Sequence, residues 1–166
     1  MKIVIADKSH SIYAEIICDT IAESAKVRGT GIAKRSPEYI ITKMENGNAV
    51  IALEGDKFAG FCYIEAWSHG KFVANSGLIV HPDFREQGLA KKIKHKIFEH
   101  SRNKFPDAKV FSITTGLPVM KMNSELGCKS SADLSSNPTT AAPFSRFVFL
   151  VYSKCVISSV GPKIST

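Results

Sequence analysis

Apolar residues in the first quarter of the chain follow two different patterns. Residues 2–6 form a short apolar run typical of a strand, whereas between residues 9 and 26 apolar side chains return every three or four positions. The second spacing predicts an amphipathic helix whose apolar stripe consists of Ile12, Ile16, Ile17, Ile21 and Ala25. A second short helix is predicted from Ser36, which can cap its first turn, with Pro37 following.

The middle of the chain has the pattern of an antiparallel meander. Strands are predicted at residues 49–53, 58–66 and 71–80, because these segments are mostly apolar and short polar or glycine-containing turns separate them. The third strand ends at His81-Pro82, since a proline nitrogen cannot donate to a strand ladder.

The remaining elements follow from the same signals. A helix is predicted to begin at Gly88, and its lysines are assigned to the face opposite Leu89, Ile93 and Ile97. After it the sequence predicts a strand, a helix and a final strand, at residues 109–115, 118–126 and 144–157. The resulting order, β-α-α-β-β-β-α-β-α-β, indicates an α+β fold around a mixed sheet.

Length and composition indicate one ordinary globular domain of 166 residues, 44% of them hydrophobic. Residues 1–127 are assigned to its core, and residues 128–166 to a serine-rich C-terminal segment of the same domain. No run of about 20 apolar residues occurs, which excludes a transmembrane helix, and the first apolar run is too short for a secretory signal. The four cysteines are widely spaced, so no metal site is predicted and a cytoplasmic location with reduced thiols is expected.

Positive charge is concentrated in the helix after Gly88. The chain has a net charge of +7, and residues 91–104 hold six basic residues against Glu99 alone. Such a run is usually a solvated helix face, although it also suits a phosphate-bearing partner. Aromatic residues between the lysines would favour RNA; only Phe98 and Phe105 occur there, so a nucleic-acid partner is not expected.

The segment from residue 78 to residue 90 carries the most specific chemical signal. Its sequence, LIVHPDFREQGLA, places a strand, a turn and then a glycine at the start of a helix. Unpaired N–H groups and the positive end of the helix dipole meet at such a start, which favours binding of a diphosphate. Gly88 and Ala90 keep the approach free of bulk, and Arg85 can add a charged hydrogen bond.

This segment resembles the acetyl-CoA signature of the GNAT N-acetyltransferases, V-x-P-x-[FY]-R-x-x-G-x-[GA]. The order of elements over residues 2–127 is similar to that fold, a mostly antiparallel central sheet flanked by helices. The resemblance implies transfer of an acetyl group from acetyl-CoA to a primary amine by direct attack in a ternary complex; another short donor such as succinyl-CoA stays open. It also implies these cofactor-binding residues: Leu78, Ile79, Val80, Arg85, Glu86, Gln87, Gly88, Leu89, Ala90 and Lys91.

The candidate base departs from the pattern of better-known members of this family, many of which have a glutamate on the strand before the loop. Here that strand contains no carboxylate, so Glu65 on the preceding strand is the nearest candidate. Asn75 and Ser76 could instead orient a water molecule. His69 and His81 lie in turns and have a suitable ordinary pKa, which makes them lesser candidates.

A second departure concerns the leaving thiolate. The resemblance implies a tyrosine four residues before the glycine that closes the last helix, as the acid that protonates the thiolate; that position is Asn123. An amide cannot act as an acid at neutral pH, but Asn123 can hydrogen-bond the pantetheine arm. A module that binds CoA or RNA without catalysis is therefore the alternative to an enzyme.

The loop between the first two helices is the predicted site of the amine acceptor, a small molecule. Arg28, Lys34 and Arg35 would pair with the carboxylates of an acidic amine such as glutamate. The alternative is a flexible connection whose charges are solvated.

Two narrower expectations complete the interpretation. Residues 27–35 and 114–116 resemble stand-alone GNAT proteins linked to bacterial arginine biosynthesis and related to N-acetylglutamate synthase. The resemblance also implies two strands after the last helix, and only residues 144–157 have strand composition. An incomplete sheet edge would favour a homodimer formed by strand addition.

Overall fold

One sheet of six strands organises the part of the chain that the structure describes. The computed structural model describes residues 1–28, 34–114, 117–127 and 149–153. The strands are β1 (Lys2–Ile5), β2 (Ala49–Glu54), β3 (Lys57–Trp67), β4 (Phe72–Val80), β5 (Lys109–Thr114) and β6 (Phe149–Ser153). The helices are α1 (Ala14–Arg28), α2 (Pro37–Glu45), α3 (Leu89–Lys104) and α4 (Leu117–Glu125).

The strands lie side by side in chain order, β1-β2-β3-β4-β5-β6. Every neighbouring pair is antiparallel except β4 and β5, which are parallel because α3 crosses over between them. The predicted α+β fold, with a mostly antiparallel mixed sheet, is therefore confirmed. Of the predicted C-terminal segment, 128–166, only β6 lies within the described residues.

Local sequence signals set the helix starts. The Ser36 hydroxyl accepts a hydrogen bond from the Tyr39 backbone N–H at 3.3 Å, and Pro37 is the first residue of α2. A 3₁₀ turn over Lys8–Tyr13 precedes α1, and Asp7 caps that turn. None of the helices among the described residues combines the length and the apolar character that crossing a bilayer requires.

A separate core covers each face of the sheet. On one face α3 packs its Ile93 and Ile97 against Cys62, Ile64 and Val73 of the sheet. On the other face α1 and α2 pack against the sheet, and this second core is formed by Ile17, Ile21, Ile40, Met44, Phe61 and Tyr63, among others.

Two predicted helix faces are corrected by the structure. Ile12 is 79% exposed and Ile16 is 40% exposed, because residues 8–13 form a 3₁₀ turn and the buried stripe of α1 is instead Ala14, Ile17, Ile21 and Ala25. On α3, Lys94 is only 2% exposed and lies in the core, although the sequence assigned it to the solvated face.

The sheet divides between β4 and β5. The two strands pair only at Phe72↔Lys109, Val73↔Val110 and Ala74↔Phe111. We call the point beyond Ala74 and Phe111 the fork. On the other side of β4 a β-bulge shifts its register with β3, and Gly77 adopts a φ of 65° there.

Candidate functional site

A cleft opens beside β4 where that strand has left β5. It encloses about 360 Å³, within the range of roughly 300–1,000 Å³ that small-molecule sites occupy. Leu78, Ile79 and Val80 of β4, three of the predicted cofactor-binding residues, line it. The remaining lining comes from α1, the loop between β4 and α3, α3 itself and α4. Its residues are Ser24, Val27, Arg85, Ala90, Pro118, Val119 and Met122. We call this space the β4 cleft.

The N-terminus of α3 forms a candidate anion site near the β4 cleft, called the anion site below. Gly88 caps the helix with a φ of 69°, and the Lys92 N–H makes the first helical bond to the Gly88 carbonyl at 3.3 Å. The N–H groups of Leu89, Ala90 and Lys91 precede that bond and therefore have no carbonyl of a previous turn to reach. A Cβ at Gly88 would meet open space, so the backbone conformation is what requires glycine there.

The side chains of residues 85–89, between β4 and the first turn of α3, do not all line the cleft. Arg85 lies across one end of the cleft, where its Nε donates to the Val80 carbonyl at 3.3 Å and its Nη2 to the Ser24 hydroxyl at 3.5 Å. Gln87 lines a different cavity, and Leu89 is buried in the core. Gln87 and Leu89 can therefore contribute to the anion site only through the main chain. Glu86 is exposed and has a φ of 64°.

Asn123 on α4 is fully buried, yet neither its amide nitrogen nor its amide oxygen has a hydrogen-bond partner among the described residues. It lies one helical turn after Val119, which lines the β4 cleft. A buried amide left without partners costs about 1–3 kcal/mol per group. Such a group is suited to a ligand that brings its own hydrogen-bonding atoms.

Lys91 joins the two helices beside the cleft. Its Nζ lies 2.6 Å from Glu125 Oε2 at the end of α4, and both side chains are about half exposed. The hydrogen bond from Lys91 lowers the pKa of Glu125. In this structure, the Lys91 side chain thus contacts α4, while its backbone N–H belongs to the anion site.

A cluster of charged and aromatic side chains occupies the opposite face of the sheet from α3. Glu65 of β3 accepts a hydrogen bond from the Tyr39 hydroxyl, and its Oε2 lies 2.7 Å from Lys43 Nζ. Arg35 Nε donates to the Tyr63 hydroxyl at 2.8 Å, and its guanidinium lies over the Tyr39 ring. We call these five residues the Glu65 cluster.

The Glu65 cluster adjoins the β4 cleft through Tyr63 and Gly77. A Cβ added at Gly77 would lie 2.2 Å from Cε1 of the Tyr63 ring, so this ring packs directly on the β4 backbone. Gly77 immediately precedes Leu78, which lines the cleft. Both the positive φ and the lack of space require glycine at this position.

Partial burial shifts the titration of both charged partners in the Glu65 cluster. Burial raises the pKa of Glu65, and the charge of Arg35 acts in the opposite direction. Burial lowers the pKa of Lys43, and the neighbouring Arg35 lowers it further. A carboxylate with a raised pKa is a better proton acceptor, because a general base works best with a pKa near the operating pH.

The structure separates the predicted catalytic residues. Glu65 and Ser76 belong to the same face of the sheet, because Ser76 pairs with Tyr63 and alternation places it with Glu65. Asn75 points to the other face, where its Nδ2 donates to the Ser101 hydroxyl at 2.7 Å. Asn75 therefore lies on the opposite face of the sheet from Glu65 and Ser76. His81 packs against Phe58 and Phe84, and its Nδ1 lies 3.6 Å from Asp83 Oδ2. His69 is exposed in the β3–β4 turn.

The predicted acceptor residues are only partly visible. Arg35 belongs to the Glu65 cluster, and Lys34 is exposed. Arg28 is the last residue of α1, and its side chain and residues 29–33 lie outside the described residues.

Sequence reasoning did not assign Tyr39, Lys43 and Tyr63 to the site. Tyr39 and Lys43 are four residues apart on α2, and Tyr63 and Glu65 are two apart on β3, so each pair shares a face of its element. These spacings were a usable signal, but each occurs widely in helices and strands.

Four of the basic residues of α3 are engaged within the chain. Lys91 contacts Glu125, Arg102 donates to the Ala108 carbonyl, Lys104 donates to the Asn46 carbonyl, and Lys94 is buried.

Comparison with known proteins identifies the sequence family and the fold. The sequence profile of the acetyltransferase (GNAT) family matches residues 19–120. No curated protein sequence matches the chain significantly.

Three solved structures illustrate the shared fold. The yncA protein of Salmonella typhimurium, solved with its cofactor acetyl-CoA, has a TM-score of 0.64 at 17% identity, with 92% of this chain and 91% of that chain covered. A GNAT-family acetyltransferase of Staphylococcus aureus Mu50 has a TM-score of 0.62 at 13% identity, covering 91% of this chain and 98% of that one. N-acetylglutamate synthase of Neisseria gonorrhoeae, complexed with coenzyme A and N-acetyl-glutamate, has a TM-score of 0.64 at 16% identity, and the match covers 91% of this chain but only 34% of the synthase.

Proposed function

Because the chain belongs to the acetyltransferase (GNAT) family, we propose that it acetylates the amine of an acidic amino acid, with glutamate as the leading candidate. Members of this family are acyl-CoA-dependent N-acetyltransferases, and acetyl-CoA is the co-substrate. The observation that carries the acceptor assignment is the Glu65 cluster beside the β4 cleft, in which Lys43 pairs with the Glu65 carboxylate and the charge of Arg35 acts on the same carboxylate. The arrangement offers positive charge to the acceptor's carboxylates and a proton acceptor to its amine.

Acetyl-CoA fits the β4 cleft in one direction. The N–H groups at the start of α3 suit its diphosphate, and Arg85 adds a positive charge at the same end. The pantetheine arm then follows the edge of β4, where Leu78 to Val80 offer main-chain groups, and Asn123 offers its unpaired amide. From Val80 to Asn75 the strand covers about 16 Å at ~3.3 Å per residue, a distance comparable to an extended pantetheine arm. The thioester therefore reaches the region of the fork.

In the proposed reaction the acceptor amine attacks the thioester carbonyl. Glu65 first takes a proton from the acceptor's ammonium group, so that the nitrogen lone pair becomes available. The new C–N bond forms as the electron pair of the C=O moves to oxygen, where a main-chain N–H of β4 near the fork can stabilise it. The C=O bond then re-forms as the C–S bond breaks, the electron pair of the C–S bond remains on sulfur as the CoA thiolate, and the new amide nitrogen loses its extra proton to water. Ser76, on the same face as Glu65, is placed to carry a water between the amine and the carboxylate.

The acceptor is proposed to bind by its carboxylates. Arg35 presents a guanidinium suited to a bidentate contact, and Lys34 adjoins it in the sequence. Arg28 is proposed as a third cation on the basis of the sequence. An acceptor without a side-chain carboxylate would leave part of this positive charge unused.

The test compares acceptors by release of free CoA thiol. We expect glutamate and aspartate to be acetylated with a higher kcat/KM than glutamine or lysine. Arg35→Ala should raise the KM for glutamate by roughly 10- to 150-fold, since a hydrogen bond to a charged group is worth about 1.5–3 kcal/mol. Lys2→Ala, at the far edge of the sheet, is the control and should leave KM unchanged. Equal rates with glutamine, or no effect of Arg35→Ala, would contradict the acidic acceptor.

The donor is tested by thermal unfolding with acetyl-CoA and with succinyl-CoA. A ligand present at 100 times its Kd stabilises the folded state by about 2.7 kcal/mol. We expect a Tm increase with acetyl-CoA that exceeds the increase with succinyl-CoA. A larger increase with succinyl-CoA would change the proposed donor and leave the rest of the mechanism in place.

A further inference from the structure

Two buried polar contacts connect the arms of the fork to α3. On the β4 arm Asn75 Nδ2 donates to the Ser101 hydroxyl at 2.7 Å, and on the β5 arm Lys94 Nζ donates to the Ser112 hydroxyl at 3.4 Å. All four side chains are buried. Asn75 and Ser112 directly follow the last β4–β5 pair, so this polar group lies beneath the fork, on the α3 side of the sheet.

Lys94 is the unusual member of this group. It occupies a core position between Ile93 and Ile97, two residues packed into the apolar interior. Removing an ammonium group from water costs several kcal/mol. A lysine that replaces an apolar residue at such a position indicates that the charge itself has a use.

Lys94 contacts β5 through Ser112, and its charge acts on Cys62 of β3. Burial raises the pKa of Cys62 on β3 to about 11, and Lys94 acts against that shift. Within the described part of the chain, the polar or titratable side chains that face this part of the core are Cys62 from β3, Asn75 from β4, Ser101 from α3 itself and Ser112 from β5. Cys62 stays neutral at ordinary pH, so Lys94 carries the positive charge among these described side chains.

We propose that Lys94 stabilises the thiolate of CoA as it leaves the thioester at the fork. This inference rests on the proposed function, because it needs the pantetheine arm to end there. As the C–S bond breaks, the electron pair remains on sulfur, and Lys94 keeps its proton and forms an ion pair with the thiolate. The role complements Asn123, since an amide at that position cannot protonate the sulfur.

The first test needs only the wild-type protein. The ultraviolet absorbance of the thiolate reports ionisation of bound CoA between about pH 6 and pH 9, around the ordinary thiol pKa of ~8.5. We expect the pKa of the bound thiol to lie at least one unit below that of free CoA, which corresponds to a tenfold stabilisation of the thiolate. An unshifted or raised pKa of bound CoA would overturn the role of Lys94.

The second test assigns the effect to Lys94. Lys94→Met keeps the unbranched apolar stem and removes the charge, so it should return the bound thiol to its ordinary pKa and lower kcat at least about tenfold. Affinity for desulfo-CoA, which lacks the sulfur, should stay within about twofold of wild type. Lys92→Met, at an exposed lysine of the same helix, is the matched control and should change none of these quantities.

The outcomes separate this inference from the proposed function. If neither CoA nor desulfo-CoA binds the wild-type protein, the proposed function and this inference both fail. If both bind and acetyl transfer occurs, but Lys94→Met leaves the thiol pKa and kcat unchanged, only the role of Lys94 is rejected. If Lys94→Met does not fold, the wild-type thiol titration decides the question.

Discussion

The β4 cleft and the Glu65 cluster lie side by side but are built from different parts of the chain. The cleft offers mostly main-chain groups: the edge of β4 and the first N–H groups of α3. The cluster consists of side chains from α2, β3 and the segment before α2, held by ion pairs and hydrogen bonds. Main-chain groups survive most substitutions, whereas a side-chain site can lose its function through one atom. Function should therefore be more sensitive to single substitutions in the Glu65 cluster than in the β4 cleft.

The largest effect is expected in the Glu65 cluster, from Glu65→Gln. Losing a general base should lower kcat by roughly 10²–10⁴. Burial raises the pKa of Glu65, so the wild-type rate should fall on the acidic side at a pH above the ordinary glutamate value, as the base becomes protonated. The variant should lack this acidic limb. Steady-state rates over pH measure both effects.

Glu125→Gln is the control for this prediction. Glu125 also forms an ion pair with a lysine, but it does so beside the cleft. Its substitution should leave kcat and the pH profile unchanged. A Glu65→Gln variant with the wild-type rate would remove Glu65 as the base and leave the cluster with a binding role.

The next largest effect is expected from added bulk at Gly88, at the start of α3. Gly88→Trp should weaken acetyl-CoA binding by about 100-fold or more, which is ~2.8 kcal/mol, because the side chain projects into the space where the diphosphate approaches the helix. Calorimetric titration with acetyl-CoA measures this change.

Gly55→Trp is matched to Gly88→Trp. Gly55 also has a positive φ, and a Cβ added there would likewise meet open space, but this glycine lies in the turn between β2 and β3. The two variants should lose similar stability, and only Gly88→Trp should lose affinity. Normal acetyl-CoA binding by Gly88→Trp would disprove the anion site at α3.

A smaller and opposite effect is expected from Asn123→Leu. Removing a buried amide that lacks partners among the described residues should stabilise the cofactor-free protein by about 1–3 kcal/mol in urea unfolding. The same change should reduce the stabilisation that acetyl-CoA provides. Asn75→Leu is the control, because Asn75 is a buried asparagine with a partner, and its loss should destabilise the protein. If Asn123→Leu destabilises as Asn75→Leu does, the Asn123 amide has a structural role.

The smallest effect is expected from Lys91→Ala. An exposed ion pair such as Lys91–Glu125 contributes less than about 1 kcal/mol, and the backbone N–H of residue 91 is unaffected by the substitution. The acetyl-CoA affinity of the variant should stay within about threefold of the wild-type affinity. This comparison is made at several salt concentrations, from low to physiological ionic strength. A loss comparable to that of Gly88→Trp would show that the Lys91 side chain binds the cofactor directly.

The sequence predicts the elements on either side of the loop before α3, because their signals are local. His81-Pro82 ends a strand, Gly88 starts a helix, and the residues between them fix the turn. The element order, and hence the mixed sheet, also follows from local patterns. The fork could not be predicted in this way, since the point at which β4 and β5 stop pairing depends on how two distant segments are placed in the sheet.

The Glu65 cluster was only partly predictable. Glu65 and Arg35 were identified as candidates, but Tyr39, Lys43 and Tyr63 become partners through the packing of α2 on β3. Contacts between residues 22 to 28 positions apart leave no periodic trace in one sequence.

Lys94 shows a different limit. It was assigned to solvent by residue type, yet at 3.6 residues per turn it lies only about 40° around the helix from Phe98. Its angular position was therefore available from the sequence, and the expectation that charges face water outweighed it. Residue chemistry and helix geometry disagree where a charge has been placed in the core.

The early end of β4–β5 pairing has a consequence for amide hydrogen exchange. Beyond Ala74, β4 keeps β3 as its antiparallel partner on one edge, so the amides that point toward β3 are bonded and those that point away face the cleft. The β-bulge shifts this alternation once, because Gly77 and Leu78 lie between the Ser76 and Ile79 pairs, where β3 has only Cys62. Residues 75–80 should therefore divide into slowly and rapidly exchanging amides in the free protein, and acetyl-CoA should slow only the rapidly exchanging set, which marks the path of the bound cofactor along the strand.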